Sequence, residues 1–156
     1  MTMKTNKPKY IILHHSLTSD TFKKNWDDIK RYHVNVLKWK DIGYHYGIEK
    51  VNNRYSILKG RNINEVGAHC KQEGMNHKSI GICCIGNFDK ELMCDEMFFT
   101  LKLLIEKLLI SYEIKKENIR LHREYATYKS CPGLHFPIRK LLTEIYKGFS
   151  SIEEII

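Results

Sequence analysis

A chain of 156 residues, 42% hydrophobic and 28% charged, has the length and balance of one soluble globular domain whose core needs no disulfide staples. The formal net charge of +8 favours an anionic partner, whether nucleic acid, an acidic membrane face or an anionic polymer, without choosing among them. The same charge also fits a solvated lysine-rich surface. No basic run is concentrated enough to read as a nucleic-acid-binding motif, and no apolar run is long enough to span a membrane.

Residues 1–9 are polar and basic and read as an N-terminal tail. Tyr10-Ile11-Ile12-Leu13-His14-His15 is a short apolar run and predicts a buried strand. It is too short for a signal peptide, so synthesis in the cytoplasm is expected. Trp26, Ile29, Tyr32 and His33 recur at helical spacing and predict a helix from Asn25 to Val36. Tyr44 to Glu49 and Arg54 to Leu58 read as strands, joined by a hairpin turn over Val51-Asn52-Asn53. Ser79 to Ile85 is a continuous apolar strand rich in small residues. The longest helix, about Asp95 to Tyr112, is defined by Met97, Leu101, Leu104, Ile105, Leu108 and Tyr112. Ile119 to Leu121 is a short strand. Pro137 opens a last helix with Ile138, Leu141, Leu142 and Ile145 on its apolar face. Strands mixed with helices indicate an α/β or α+β domain, a single mixed sheet flanked by helices. We find no repeat and no linker.

The five cysteines are odd in number, and the adjacent Cys83 and Cys84 would point to opposite sides of a strand. That does not resemble a disulfide framework. Eight histidines are many for this length. His14 and His15 end the first strand, where only one of them can face a given site. His122 ends another strand, and Cys131 follows nine residues later inside Lys129-Ser130-Cys131-Pro132-Gly133. Two imidazoles and a thiolate suit zinc, and three protein ligands leave a fourth position open for water, the catalytic pattern. The plainer alternatives are structural histidines and a free surface thiol. Neither HExxH nor CxxC occurs.

Several segments, in order, carry a resemblance. They are Ile12-Leu13-His14-His15-Ser16, Asp41-Ile42-Gly43-Tyr44-His45-Tyr46, Gly60-Arg61 and Val66-Gly67-Ala68-His69. After these come Asn76-His77-Lys78-Ser79-Ile80-Gly81-Ile82, Leu121-His122-Arg123-Glu124 and the run from Lys129 to Pro137. Together they resemble the zinc-dependent N-acetylmuramoyl-L-alanine amidases of the peptidoglycan-recognition-protein fold (amidase type 2). Within that group the chain is most similar to single-domain bacteriophage amidase endolysins.

The resemblance implies one zinc ion per chain held by His14, His122 and Cys131, with Tyr44 and Lys129 as catalytic residues beside it. His69 and Asn76 match positions along the substrate groove, and a capping or turn role is the alternative for Asn76. His15 should point away from the metal, and Tyr44 and His45 should face opposite sides of the sheet. Residues 10–147 would form the catalytic domain, with 148–156 as a C-terminal tail. The implied activity is hydrolysis of the amide bond between N-acetylmuramic acid and L-alanine in bacterial peptidoglycan, as an endolysin acting on the wall after release. The implied partner is peptidoglycan, with neither nucleic acid nor a membrane, and the chain is expected to be a monomer. The alternative within the fold is a non-catalytic recognition protein that binds peptidoglycan. Such proteins lack the complete ligand set, typically at the cysteine, and here the set is complete.

Overall fold

The computed structural model describes residues 4–18 and 25–153, with the side chains of the last helix described as far as Ile145. Five strands form one mixed sheet: β1 (Tyr10–His15), β2 (Tyr46–Val51), β3 (Arg54–Lys59), β4 (Ser79–Cys84) and β5 (Ile119–Leu121), in the order β3-β2-β4-β1-β5. β1 lies parallel between β4 and β5, β2 is parallel to β4, and β2 and β3 form an antiparallel hairpin. β1 and β4 are covered on both faces, which is why both read as continuous apolar runs rather than alternating ones.

The hairpin turns through Asn52 and Asn53, both at positive φ (50° and 62°), the backbone that a two-residue turn matched to strand twist requires. Helix α1 (Trp26–Arg31) starts with a reciprocal cap. The Asn25 side chain accepts from the Asp28 amide, and the Asp28 carboxylate accepts from the Asn25 amide. The predicted Asn25–Val36 helix changes pitch midway, with Tyr32–Val36 wound one residue wider per turn.

Helix α2 (Asp95–Ser111) buries Met97, Phe98, Leu101, Leu104, Ile105 and Leu108 against one face of the sheet, where they meet Ile11, Leu13, Ile80 and Ile82. Helix α3 (Ile138–Glu153) adds Leu141 and Ile145 to that core and runs on past Lys147. The opposite face is thinner: Ile12 packs with Cys70 and Met75, and Cys83 with Trp26, Ile42 and Ile85. Residues before β1 are tied down as well, since the Asn6 amide donates to the carbonyls of Ile63 and Ser79 at 2.9 Å each. Among the described residues no helix is long and apolar enough to cross a membrane.

One boundary differs from the sequence expectation. β2 begins at Tyr46, so Tyr44 and His45 precede the ladder. Their backbones remain bonded: His45 N–H donates to Gly81 O, Gly60 N–H to His45 O and Arg61 N–H to Tyr44 O. Outside the pleat the alternation of faces no longer applies. The rings of Tyr44 and His45 accordingly do not face opposite sides. Their centroids lie 6.4 Å and 5.7 Å from that of the same residue, His69.

Candidate active site

The sheet register alone brings two donors together. Leu13 pairs with Leu121 across β1 and β5, so the next residues, His14 and His122, emerge side by side with ring centroids 4.4 Å apart. Alternation along β1 turns His14 to the thinner face of the sheet and His15 to the other. His15 Nδ1 accepts from the Phe88 amide there. Cys131 arrives from the loop after β5. Its Sγ lies 3.7 Å from His14 Nδ1, and one donor atom from each of His14, His122 and Cys131 falls within 4.8 Å of the others. Two such donors on a tetrahedral zinc lie about 3.5 Å apart, so the donor types and the His14–Cys131 separation fit that ion.

The Cys131 loop is held at several points. The Arg123 amide donates to the Cys131 carbonyl, and its guanidinium donates to the carbonyls of Ser130 and Gly133. The Asp89 carboxylate accepts from the Ser130 hydroxyl at 2.6 Å and from the Leu134 amide at 2.9 Å. Neither Arg123 nor Asp89 was singled out as a site residue in the sequence. Arg123 could have been found as the neighbour of His122, whereas Asp89 carries no local signal.

The electrostatics suit metal ligation. Burial, followed by the nearby His69, His122 and Lys129, holds His14 well below the usual imidazole range. Burial and Lys129 pull His122 down to about 4. Both rings therefore stay neutral with a lone pair to offer. Burial raises the Cys131 thiol to about 11, opposed by its contact with the His15 carbonyl and by Lys129. A cation at this point would reverse that balance and favour the thiolate.

Tyr44 stands over the donors, its ring 5.1 Å from that of His14 and bracketed by Trp26 and His33. The His33 Nδ1 accepts from the Gly43 amide, fixing the backbone just before Tyr44. Burial, then the Cys83 and Cys131 thiols, and a hydrogen bond with Cys83 raise the Tyr44 phenol well above its usual range, so it stays protonated. Lys129 is exposed at the rim, with its ammonium 5.9 Å from the Tyr128 ring.

These residues line a cavity of about 440 Å³ that includes His14, Tyr44, His122, Lys129 and Cys131. A second cavity of about 320 Å³ adjoins it, shares His122, Tyr128 and Lys129, and reaches His69 and Asn76. Asn76 also has a turn role, its side-chain oxygen accepting from the amides of His69 and Cys70 at 2.8 Å each. The buried His69 ring meets His14, with His14 Nε2 2.9 Å from His69 Nδ1.

Comparison with known proteins gives this geometry a context. The chain is 33% identical over 128 residues to the endolysin of Escherichia phage T7, covering 79% of each chain. It is 27% identical over 135 residues to peptidoglycan-recognition protein SC1a of Drosophila melanogaster, covering 83% of this chain and 70% of that one. Among solved structures it superposes on the endolysin N-acetylmuramoyl-L-alanine amidase LysCS from Clostridium intestinale with a TM-score of 0.78 at 28% identity. That match covers 90% of this chain and 85% of the other. The profile of the N-acetylmuramoyl-L-alanine amidases matches residues 4–134, which takes in all three donors and both cavities, and the chain belongs to that family.

Proposed function

We propose that this enzyme is a zinc-dependent N-acetylmuramoyl-L-alanine amidase in which His14, His122 and Cys131 hold the metal and Tyr44 and Lys129 act on the scissile amide. The observation that carries this reading is the convergence of two neutral imidazoles and a thiol within 4.8 Å, in a cavity that Tyr44 and Lys129 also line. Bound there, zinc would supply an acidified water and Lewis-acid polarisation of the carbonyl.

The protein's own groups do the rest. Attack on the amide makes the carbonyl oxygen anionic, and the Lys129 ammonium, carried two residues before Cys131, stabilises that charge as it develops. The Tyr44 phenol, kept protonated by burial, orients the attacking water and passes a proton on. Cys83, hydrogen-bonded to the phenol, limits where it can point. The stem peptide lies along the second cavity beside His69 and Asn76. The net charge of +8 complements an anionic wall. The endolysins of phages T7 and T3 among the relatives support a role in host lysis, with the protein made inside the cell and reaching the wall on release.

Digestion of purified peptidoglycan, followed by mass spectrometry of the products, tests the activity. Free stem peptides beginning with L-alanine are expected. Shortened glycans, or an intact wall with bound protein, would overturn the assignment.

A further inference from the structure

His69 is buried with both ring nitrogens engaged, and the partners of those nitrogens set a direction. The Ser79 hydroxyl donates its one hydrogen to the Met75 carbonyl at 2.6 Å. Towards His69 Nε2, 3.3 Å away, Ser79 can then only accept. A neutral imidazole carries one N–H, so the His69 proton sits on Nε2 and its Nδ1 is an acceptor. The atom 2.9 Å from that acceptor is His14 Nε2, which must donate. His14 is left with its lone pair on Nδ1, the nitrogen 3.7 Å from Cys131 Sγ.

The His69 ring is also held on all sides. A Cβ at Gly81 would stand 2.5 Å from its Cδ2, and one at Gly67 would stand 2.6 Å from the same atom, so the slot exists only because both positions are glycine. The His45 ring packs edge-on against it at 5.7 Å. His45 is itself fixed: its Nδ1 accepts from the Gly81 amide and its Nε2–H donates to the Glu65 carbonyl.

We propose that His69 is a positioning residue for the metal site: oriented by Ser79, it accepts from His14 Nε2–H and so presents His14 Nδ1 to the zinc. A metal-bound histidine whose other nitrogen donates to a fixed acceptor is held in one tautomer and one ring orientation, and loss of that partner costs about 10–100-fold in metal affinity. This inference rests on the assignment of His14 as a zinc ligand. With its nitrogens facing inward, His69 meets substrate only through a ring edge and acts on the reaction through His14.

Asparagine and leucine at position 69 separate hydrogen bonding from packing, because the two side chains have nearly the same shape and only asparagine carries an acceptor near the place of Nδ1. Zinc affinity of the whole protein is measured by competition with a chromophoric chelator, with thermal melting as the check on folding. His69→Leu is expected to bind zinc about 10–100-fold more weakly, and His69→Asn to recover most of the loss. Long-range proton–nitrogen NMR of the parent should show the His69 and His14 protons on Nε2. If the two variants lose zinc equally, or neither does, the relay is wrong while the ligand assignment stands. If His69→Leu does not fold, a His69 proton found on Nδ1 by NMR still overturns the relay. A parent protein that takes up no zinc overturns both.

Discussion

Arg123 grips the Cys131 loop from both backbone and side chain: its amide donates to the Cys131 carbonyl at 2.8 Å, and its guanidinium reaches the flanking carbonyls of Ser130 and Gly133. Because Arg123 directly follows His122, one short turn delivers a donor and clamps the loop that brings another. Arg123→Leu should fold, since the residue is only half-buried, yet bind zinc about 10–100-fold more weakly, as loss of outer-shell support does elsewhere. Arg123→Lys should not restore it, because a single ammonium cannot reproduce the planar fork. Chelator competition on both variants checks this, and unchanged affinity would show that Asp89 suffices to hold the loop.

Cys131→Ser should lose zinc and activity together, because a hydroxyl is a far poorer zinc ligand than a thiolate. Cys83→Ser should keep the metal, since Cys83 faces Tyr44 and is not among the three converging donors. Elemental analysis of chelator-free preparations distinguishes them. Zinc lost from the Cys83 variant and kept in the Cys131 variant would reassign the ligand.

Lys129→Ala should retain fold and zinc but lose roughly a hundredfold in kcat, about 3 kcal/mol, as removal of one oxyanion-stabilising group typically does. Tyr44→Phe should behave alike, because the ring still packs between Trp26 and His33. If Lys129 served only to attract the anionic wall, its loss would raise KM, spare kcat and be offset at low salt. Both parameters measured on a soluble muropeptide at two ionic strengths decide between these.

Metal-free protein should lose stability on mild acidification. His122 is held at about 4 in the fold, against an ordinary value of 6.5, and His14 and His69 are lowered too. Between those values the unfolded chain binds more protons than the native one, so stability is full above 6.5 and falls as pH drops towards about 4. Thermal melting of stripped protein across that window should show the decline. His122→Asn should flatten it, and an identical slope in the variant would assign the effect to other groups.

Much of this was readable in the chain. The apolar runs that became β1 and β4, the Asn52-Asn53 turn and the period of α2 each express a local rule that the surroundings reinforce. Positions at strand ends and in a Pro-Gly loop point to one of His14 and His15, to His122 and to Cys131, and the family resemblance selects His14; in the fold His14, His122 and Cys131 converge. The strand-like run extends back to Tyr44 in the sequence, and nothing local reports that the ladder stops at Tyr46. The inward turn of His69 was beyond reach for another reason: its partners His14 and Ser79 lie on two different strands, and only their parallel pairing brings them under one ring.

The position of β1 also bears on how the protein is born. It precedes both of its neighbours in the chain by a long way: Ile11 pairs with Ile80 on one side and with Ile119 on the other. Non-local parallel pairings of this kind are slow to form, and the apolar Tyr10–Leu13 segment lacks its second neighbour until β5 has been made. His14, at the end of that strand, meets His122 only once the sheet closes. The three converging donors therefore come from distant parts of the chain, and a chain cut before β5 would hold His14 without His122 or Cys131.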